Sequence, residues 1–334
     1  MLQRLMEQQY GLRIDNEFKV GAYQACTDQR YLYMIIPIGS MDENSIGELE
    51  KLSQHLADNG DTAVCRFIKT KDRNTIVEWE KKRFCVIAKE NTTRPIKRLG
   101  RKLAKFHHRG RTVPYEIRSI SRIGMWKSFW EQRLDQMERV WNEQLMQSPE
   151  NEFVRMFIES FPYYMGLAEN AIQYLSDTEQ DDDPTNIDSG TVCHERFSFK
   201  TWGRENTIKN PFDWVFDHCA RDLAEWTRER YFINIKTYEP DLRQFFHDYS
   251  SIAPLSSFSW RLVYARLLFP LHYMECVEEF FITASEQTKL IQEERMKRYL
   301  SQSRDYEEFL KDFYGLTGAP IRRFQIPVVE WLDR

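Results

Sequence analysis

Short apolar, β-prone runs fill the first ninety positions, and longer stretches with apolar residues three and four apart fill the rest. Phe18–Cys26 and Tyr31–Ile38 read as strands, and Thr27-Asp28-Gln29-Arg30 between them has the composition of a hairpin turn. From Asp42 to Leu56 the residues Ile46, Leu49, Leu52 and Leu56 share one helical face, with Asp58-Asn59-Gly60 as the stop. Thr62–Lys69 and Lys82–Lys89 predict two more strands, joined by the polar Lys71-Asp72-Arg73-Asn74. The predicted order is strand, strand, helix, strand, strand, a small antiparallel α+β lobe.

Pro95 opens the next predicted helix, which carries Ile96, Leu99, Leu103 and Phe106 on one face and ends near Gly110. The adjacent His107-His108 suits the carbonyls at that helix end. Helical spacing then recurs over 126–146, 152–174, 221–232, 241–249, 258–285 and 286–314. Two short apolar runs interrupt it, Val192 to Trp202 and Trp214 to Trp226, each ending at polar residues as strands that feed a site do. The pattern divides the chain at a hinge near residue 90. Residues 1–90 form a small strand-rich lobe, and 91–334 a large, mainly helical one.

Composition narrows the function classes. The formal net charge of −4 argues against nucleic acid as the main partner. Charge is uneven: Arg94 to Arg133 holds twelve Lys/Arg and two acidic residues, which reads as a solvated helix face, and Asp181-Asp182-Asp183 reads as a solvated loop. The six cysteines form no CxxC pair and lie mostly in apolar runs, which fits small buried side chains in a reducing cytoplasm. The N-terminus shows no export signal and no apolar run reaches the length of a membrane span, so synthesis in the cytoplasm without a membrane partner is expected. Aromatic residues at 14%, in groups such as Trp126/Phe129/Trp130 and Phe161/Tyr163/Tyr164, fall at core-like spacings.

Several segments carry a resemblance. Leu99-Gly100-Arg101-Lys102-Leu103-Ala104-Lys105-Phe106-His107 looks like the helix after the lobe hinge of aminoglycoside-phosphotransferase-type kinases. Phe216-Asp217-His218-Cys219-Ala220-Arg221-Asp222-Leu223 looks like their metal-Asp segment. Pro254-Leu255-Ser256 with Leu268-Phe269-Pro270 looks like the late helical region of the bacterial spore coat kinase-like family, the CotS/YutH group. The resemblance implies an α+β, two-lobed, protein-kinase-like fold, other spore coat proteins as partners, and a place in the spore coat. Active members of the superfamily use ATP and magnesium, and both would be expected here where the nucleotide site still functions.

Laid on the family's loop His-Gly-Asp-x-x-x-x-Asn, His194 matches the His, Glu195 replaces the Gly, Arg196 replaces the Asp, and Thr201 falls where Asn belongs. The Asp takes or orients the acceptor's proton, and the Asn holds metal. A guanidinium stays protonated and cannot do the first. The strand nearest the phosphate-binding Lys, Tyr31 to Pro37, has no Lys, and one Gly (Gly21) cannot make a glycine-rich phosphate cradle. Asp217 is the candidate magnesium ligand that survives, the alternative being a relic carboxylate bonded to the backbone or to Arg196. The expectation is a pseudokinase with a structural or assembly role. Its rivals are an active ATP/Mg-dependent O-phosphotransferase and a nucleotide-binding switch without turnover.

Overall fold

The computed structural model describes residues 2–92, 97–202, 207–327 and 329–333. Pro95 and Ile96 of the predicted post-hinge helix therefore lie outside the described residues. The chain resolves into two compact units: Met1–Ser121 with Gly190–Asp222 and Ser251–Ala253, and Arg122–Ser189 with Leu223–Ser250 and Pro254–Arg334.

The first unit begins with α1 (Leu2–Leu5), which continues as a wider helical turn to Tyr10. Strands β1 (Asn16–Val20), β2 (Tyr23–Thr27) and β3 (Tyr31–Pro37) follow, then α2 (Glu43–Asp58), then β4 (Arg66–Ile68), β5 (Ile76–Trp79) and β6 (Lys82–Glu90). All pair antiparallel in the order β1-β2-β3-β6-β4, with β5 also on β6. The central strands β3 and β6 are buried nearly throughout because both faces of the sheet are covered. Tyr33, Ile35, Val86 and Ala88 pack under Leu2, Leu5, Met6 and Tyr10, while Leu32, Met34, Ile36 and Ile87 pack with Cys65 and Phe212.

The run expected as one strand, Phe18–Cys26, is two strands with a reversal at Gly21, whose φ of 58° is the left-handed conformation open to glycine. Asp42 caps α2, its carboxylate accepting from the Ser45 amide at 2.9 Å. The unit is completed by α3 (Leu99–Arg111), the hairpin of β7 (Thr191–His194) and β8 (Trp214–Asp217), and the first turn of α6 (Ala220–Ile233).

The second unit is helical: α4 (Trp126–Leu145), α5 (Glu152–Asp181), the rest of α6, α7 (Glu239–Ser250), α8 (Ser257–Leu268), α9 (Leu271–Ile282), α10 (Glu286–Ser301), α11 (Ser303–Thr317) and α12 (Ile321–Phe324). The span 258–285 is two helices because Pro270 has no amide to continue the first. The acidic run Asp181-Asp182-Asp183 starts at the last residue of α5 and is otherwise loop, with Asp181 and Asp183 exposed, and Arg261, itself buried, lies 3.2 Å and 3.4 Å from the carboxylates of Asp181 and Asp182. Trp126, Trp130, Phe161 and Tyr164 are core, while Tyr163 is partly exposed.

Candidate active site

The β7–β8 hairpin rests on α3, and Gly110 permits the contact. A Cβ there would stand 2.3 Å from Thr191 Oγ1 and 2.6 Å from the Val192 amide nitrogen. Around this junction lies a buried polar knot. The Asp222 carboxylate accepts from the His194 amide (2.9 Å), His194 Nδ1 (2.7 Å) and His107 Nε2 (3.1 Å). Trp202 Nε1 donates to His194 Nε2 at 2.9 Å, which leaves His194 its proton on Nδ1, facing Asp222. Phe106 stacks on the His194 ring.

The sequence pattern placed His107 with His108 as a cap on the carbonyls at the end of its helix. The structure instead buries it completely, and burial pushes its pKa from 6.5 down to about 4 against the pull of Asp222. The Asp222 carboxyl, although buried, is held well below the usual carboxylate range by these two histidines.

Asp217 is also buried, with 1% exposure, and both its oxygens are taken. Oδ2 accepts from Arg221 Nε at 2.6 Å, one helical turn away, and Oδ1 from the His218 amide at 2.7 Å. The guanidinium set against Asp217 is thus Arg221, where the sequence had suggested Arg196. Arg196 is exposed and donates to the carbonyl of Glu195, itself exposed. Thr201 Oγ1 braces its own loop, donating to Arg196 O (3.1 Å) while the Ser198 amide (2.8 Å) donates to it and the Ser198 hydroxyl lies 3.2 Å away.

Beside this loop opens a cleft of 720 Å³ within the first unit, lined by β1, β2 and β3 on one side and by residues 195–201 and 208–213 on the other. The carboxylates that line it are Glu195 and Asp213; Asp217 is not among its walls. Asp213 is brought there by a backbone bond, the Glu195 amide donating to its carbonyl at 2.8 Å. Burial raises the Asp213 pKa, with Asn210 Nδ2 3.4 Å from the carboxylate. Tyr23 reaches the same corner. Burial, then the nearby Asp213 charge, raise the Tyr23 pKa, while a hydrogen bond from Asn210 lowers it. Asp213 escaped the sequence reading because Asp217 sits in the more familiar motif; its signal was the β-prone run that begins immediately after it.

The groups that would take ATP and magnesium do not fit them. Magnesium demands several oxygen ligands in octahedral array. Thr201 Oγ1 is committed inside its loop and Asp217 to Arg221, and a permanent cation stands at Arg196. Among the described residues one His/Cys/Asp/Glu group converges within 4.8 Å, His107, Cys193 and Asp222. It is the buried knot already bonded to itself, with the Cys193 thiol pushed far up by burial.

On the sheet, β3 presents Leu32 and Met34 to the cleft where a phosphate-binding Lys would stand. At the end of β6 the Asn91 amide donates to Arg30 O and the Thr92 amide to Glu90 O, each at 2.8 Å. Lys89 Nζ donates to Thr92 O at 3.3 Å.

The glutamates of α2 are engaged elsewhere. Glu48 accepts from the amides of Arg118 (2.9 Å), Ser119 and Ile120 (both 3.1 Å). Glu50 pairs with Lys69 at 3.1 Å. The end of α2 is bolted down as well. His55 Nε2 meets Arg109 O at 3.2 Å, and the buried Lys209 ammonium lies 2.7 Å from Asp61, over the faces of Trp202 and Phe106. Burial pulls the Lys209 pKa to about 8. Backbone bonds Lys209 N to Ala63 O and Cys65 N to Lys209 O, both 3.0 Å, stitch the same seam.

A strand-rich lobe that leads through a hinge to a helix, a loop after β7 and an Asp-bearing β8 is the plan of aminoglycoside-phosphotransferase-like kinases. Solved structures agree. An aminoglycoside phosphotransferase from Alicyclobacillus acidocaldarius superposes with a TM-score of 0.68 at 15% identity, over 93% of this chain and 95% of its own. The AMP-bound spectinomycin phosphotransferase gives 0.61 at 15% identity, over 96% and 98%. Within that fold the chain belongs to the family described as "Spore coat putative kinase YutH", which matches residues 3–313. The endospore coat-associated protein YutH of Bacillus subtilis (strain 168) is 39% identical over 337 residues, covering 100% of this chain and 99% of the relative.

Proposed function

We propose that the protein is a catalytically inactive pseudokinase that serves in the structure or assembly of the spore coat. The observation that carries this reading is Arg196, a permanently protonated guanidinium at the loop position where these enzymes place a proton acceptor. General base catalysis contributes about 10²–10⁴-fold, and aligned charge at the transferring group contributes more. Thr201, Glu48 and Glu50 support the same reading, since each is committed to holding the fold. Placement in the coat, among coat proteins, follows the relative's description as endospore coat-associated.

Thermal unfolding with and without Mg-ATP tests the proposal. No change in melting temperature is expected, and no ADP should form with any acceptor offered. An active phosphotransferase would instead use a carboxylate in the cleft, of which Asp213 is the more buried. Phosphoryl transfer that disappears in Asp213→Asn would establish that rival. A melting shift without turnover would establish a nucleotide-binding switch.

A further inference from the structure

β1 is an outer strand of the sheet, paired on one side with β2, and Asn16, Glu17, Phe18 and Lys19 on it are exposed. The two-residue turn at Gly21-Ala22 makes Val20 and Tyr23 a hydrogen-bonded pair. Antiparallel bonding alternates from there. Phe18 therefore bonds Ala25, while the amides and carbonyls of Glu17 and Lys19 point away from β2, to the open edge. Side chains alternate between the faces as well. Phe18 stands opposite Ala25, on the face of Leu32 and Met34, and is 43% exposed. Glu17, opposite Cys26, shares the other face with Lys19, and among the described residues neither makes an ion pair. An exposed edge of this kind is a template for a further strand.

We propose that β1 pairs antiparallel with β1 of a second copy of this chain, about a two-fold axis through Phe18. In that register Glu17 stands opposite Lys19 of the second copy, and Lys19 opposite its Glu17. These are the residues whose backbone groups face outward, so each pair exchanges both of its amide–carbonyl bonds. The two Phe18 rings meet as a non-hydrogen-bonded pair, the closer kind, in which aromatic side chains pack across the strands. The neighbouring registers that the backbone allows each oppose like charges. Centring on Asn16 sets Asp15 against Glu17; centring on Glu17 or on Lys19 sets that residue against itself. Charge thus selects one register, and it is self-complementary, as a two-fold contact requires. Few residues meet beside the ~20–30 a side of a standard interface, so the pair is weak and forms as concentration rises. The inference stands apart from whether the cleft turns over ATP.

The test is sedimentation equilibrium of the full chain from about 1 μM to about 1 mM, where a monomer–dimer equilibrium is expected. Lys19→Glu and Glu17→Lys, both at exposed positions and checked by thermal melting for intact folding, should each weaken association about tenfold or more. The double variant carrying both reversals restores opposite charges in the same register and should recover it. Phe18→Cys supplies a second readout. The facing Cα atoms of a non-hydrogen-bonded pair stand about 4.5 Å apart, within reach of a disulfide, so mild oxidation should give a covalent dimer. The six native cysteines are buried, so the parent should give none. Asn16→Cys, exposed and uncharged, would lie about 13 Å from its counterpart in this register and should not cross-link. A chain that stays monomeric throughout leaves the edge to a strand of another protein and overturns the proposal. So do association indifferent to both single reversals, a double variant that fails to recover it, and equal cross-linking at positions 16 and 18.

Discussion

Acid should loosen the first unit through one side chain, His107. It is fully buried, and its neighbours are Asp222, His194, Cys193 and Arg111. Burial holds it neutral, with a pKa of about 4 in place of 6.5. In the unfolded chain it takes up a proton near 6.5, so between those values the unfolded state binds more protons. Stability is therefore full above pH 6.5 and is lost as the pH falls toward about 4. Once the pH lies below both values the loss reaches about 3 kcal/mol, and most of it is already present at about pH 4.5. Asp222 stays ionised throughout this window, because its carboxyl is held well below the ordinary range. The variant His107→Gln keeps an amide donor for Asp222 and cannot charge. Urea unfolding followed by tryptophan fluorescence at about pH 7 and about pH 4.5 gives the loss for each protein, and other titrating groups cancel in the difference. The parent should lose about 2–3 kcal/mol more than the variant. Equal losses would refute the reasoning, since His107 would then not be the group that charges.

Further outcomes follow from other sites. Gly110→Ala should lower stability by about 1–3 kcal/mol or more, because the new Cβ collides with the backbone of β7; Gly47→Ala, in α2 with nothing within 4 Å, should raise it by up to about 1 kcal/mol. Thermal melts of the two variants should move in opposite directions. Lys209→Met should cost about 3 kcal/mol by leaving Asp61 buried with Arg109 alone, at 3.3 Å, and adding Asp61→Asn should recover part of that loss, as chemical denaturation would show. Arg196→Asp should leave ADP formation at background, because one restored carboxylate returns neither the metal oxygen at Thr201 nor a phosphate-binding cation on β3. A burst of turnover in that variant would mean that a single residue had silenced the site.

Much of the architecture was written in local pattern. Ile46, Leu49, Leu52 and Leu56 marked α2, with Asp42 at its cap, and the unbroken apolar runs of β3 and β6 marked the sheet centre. The misses have specific causes. The run Phe18–Cys26 is continuous in hydropathy, so the reversal at Gly21 depends on register with β3. The terminal helix of Leu2, Leu5 and Met6 showed helical spacing, but it is short, and its stability comes from the sheet it covers. Its place was taken by the expectation of strands.

Residue identity was legible in the sequence by itself. Arg196 carries a guanidinium that stays protonated, and β3 has no lysine, wherever the backbone runs. Which carboxylate faces the cleft was a matter for the tertiary structure. Asp213 and Asp217 are four residues apart, and only the pairing of β8 with β7 turns one toward the cavity and the other onto Arg221. The same holds for His107 and Asp222, separated by 115 positions and joined at 3.1 Å. Local spacing reports which face of an element is apolar, but the partner of a buried polar group is chosen by the packing of distant segments.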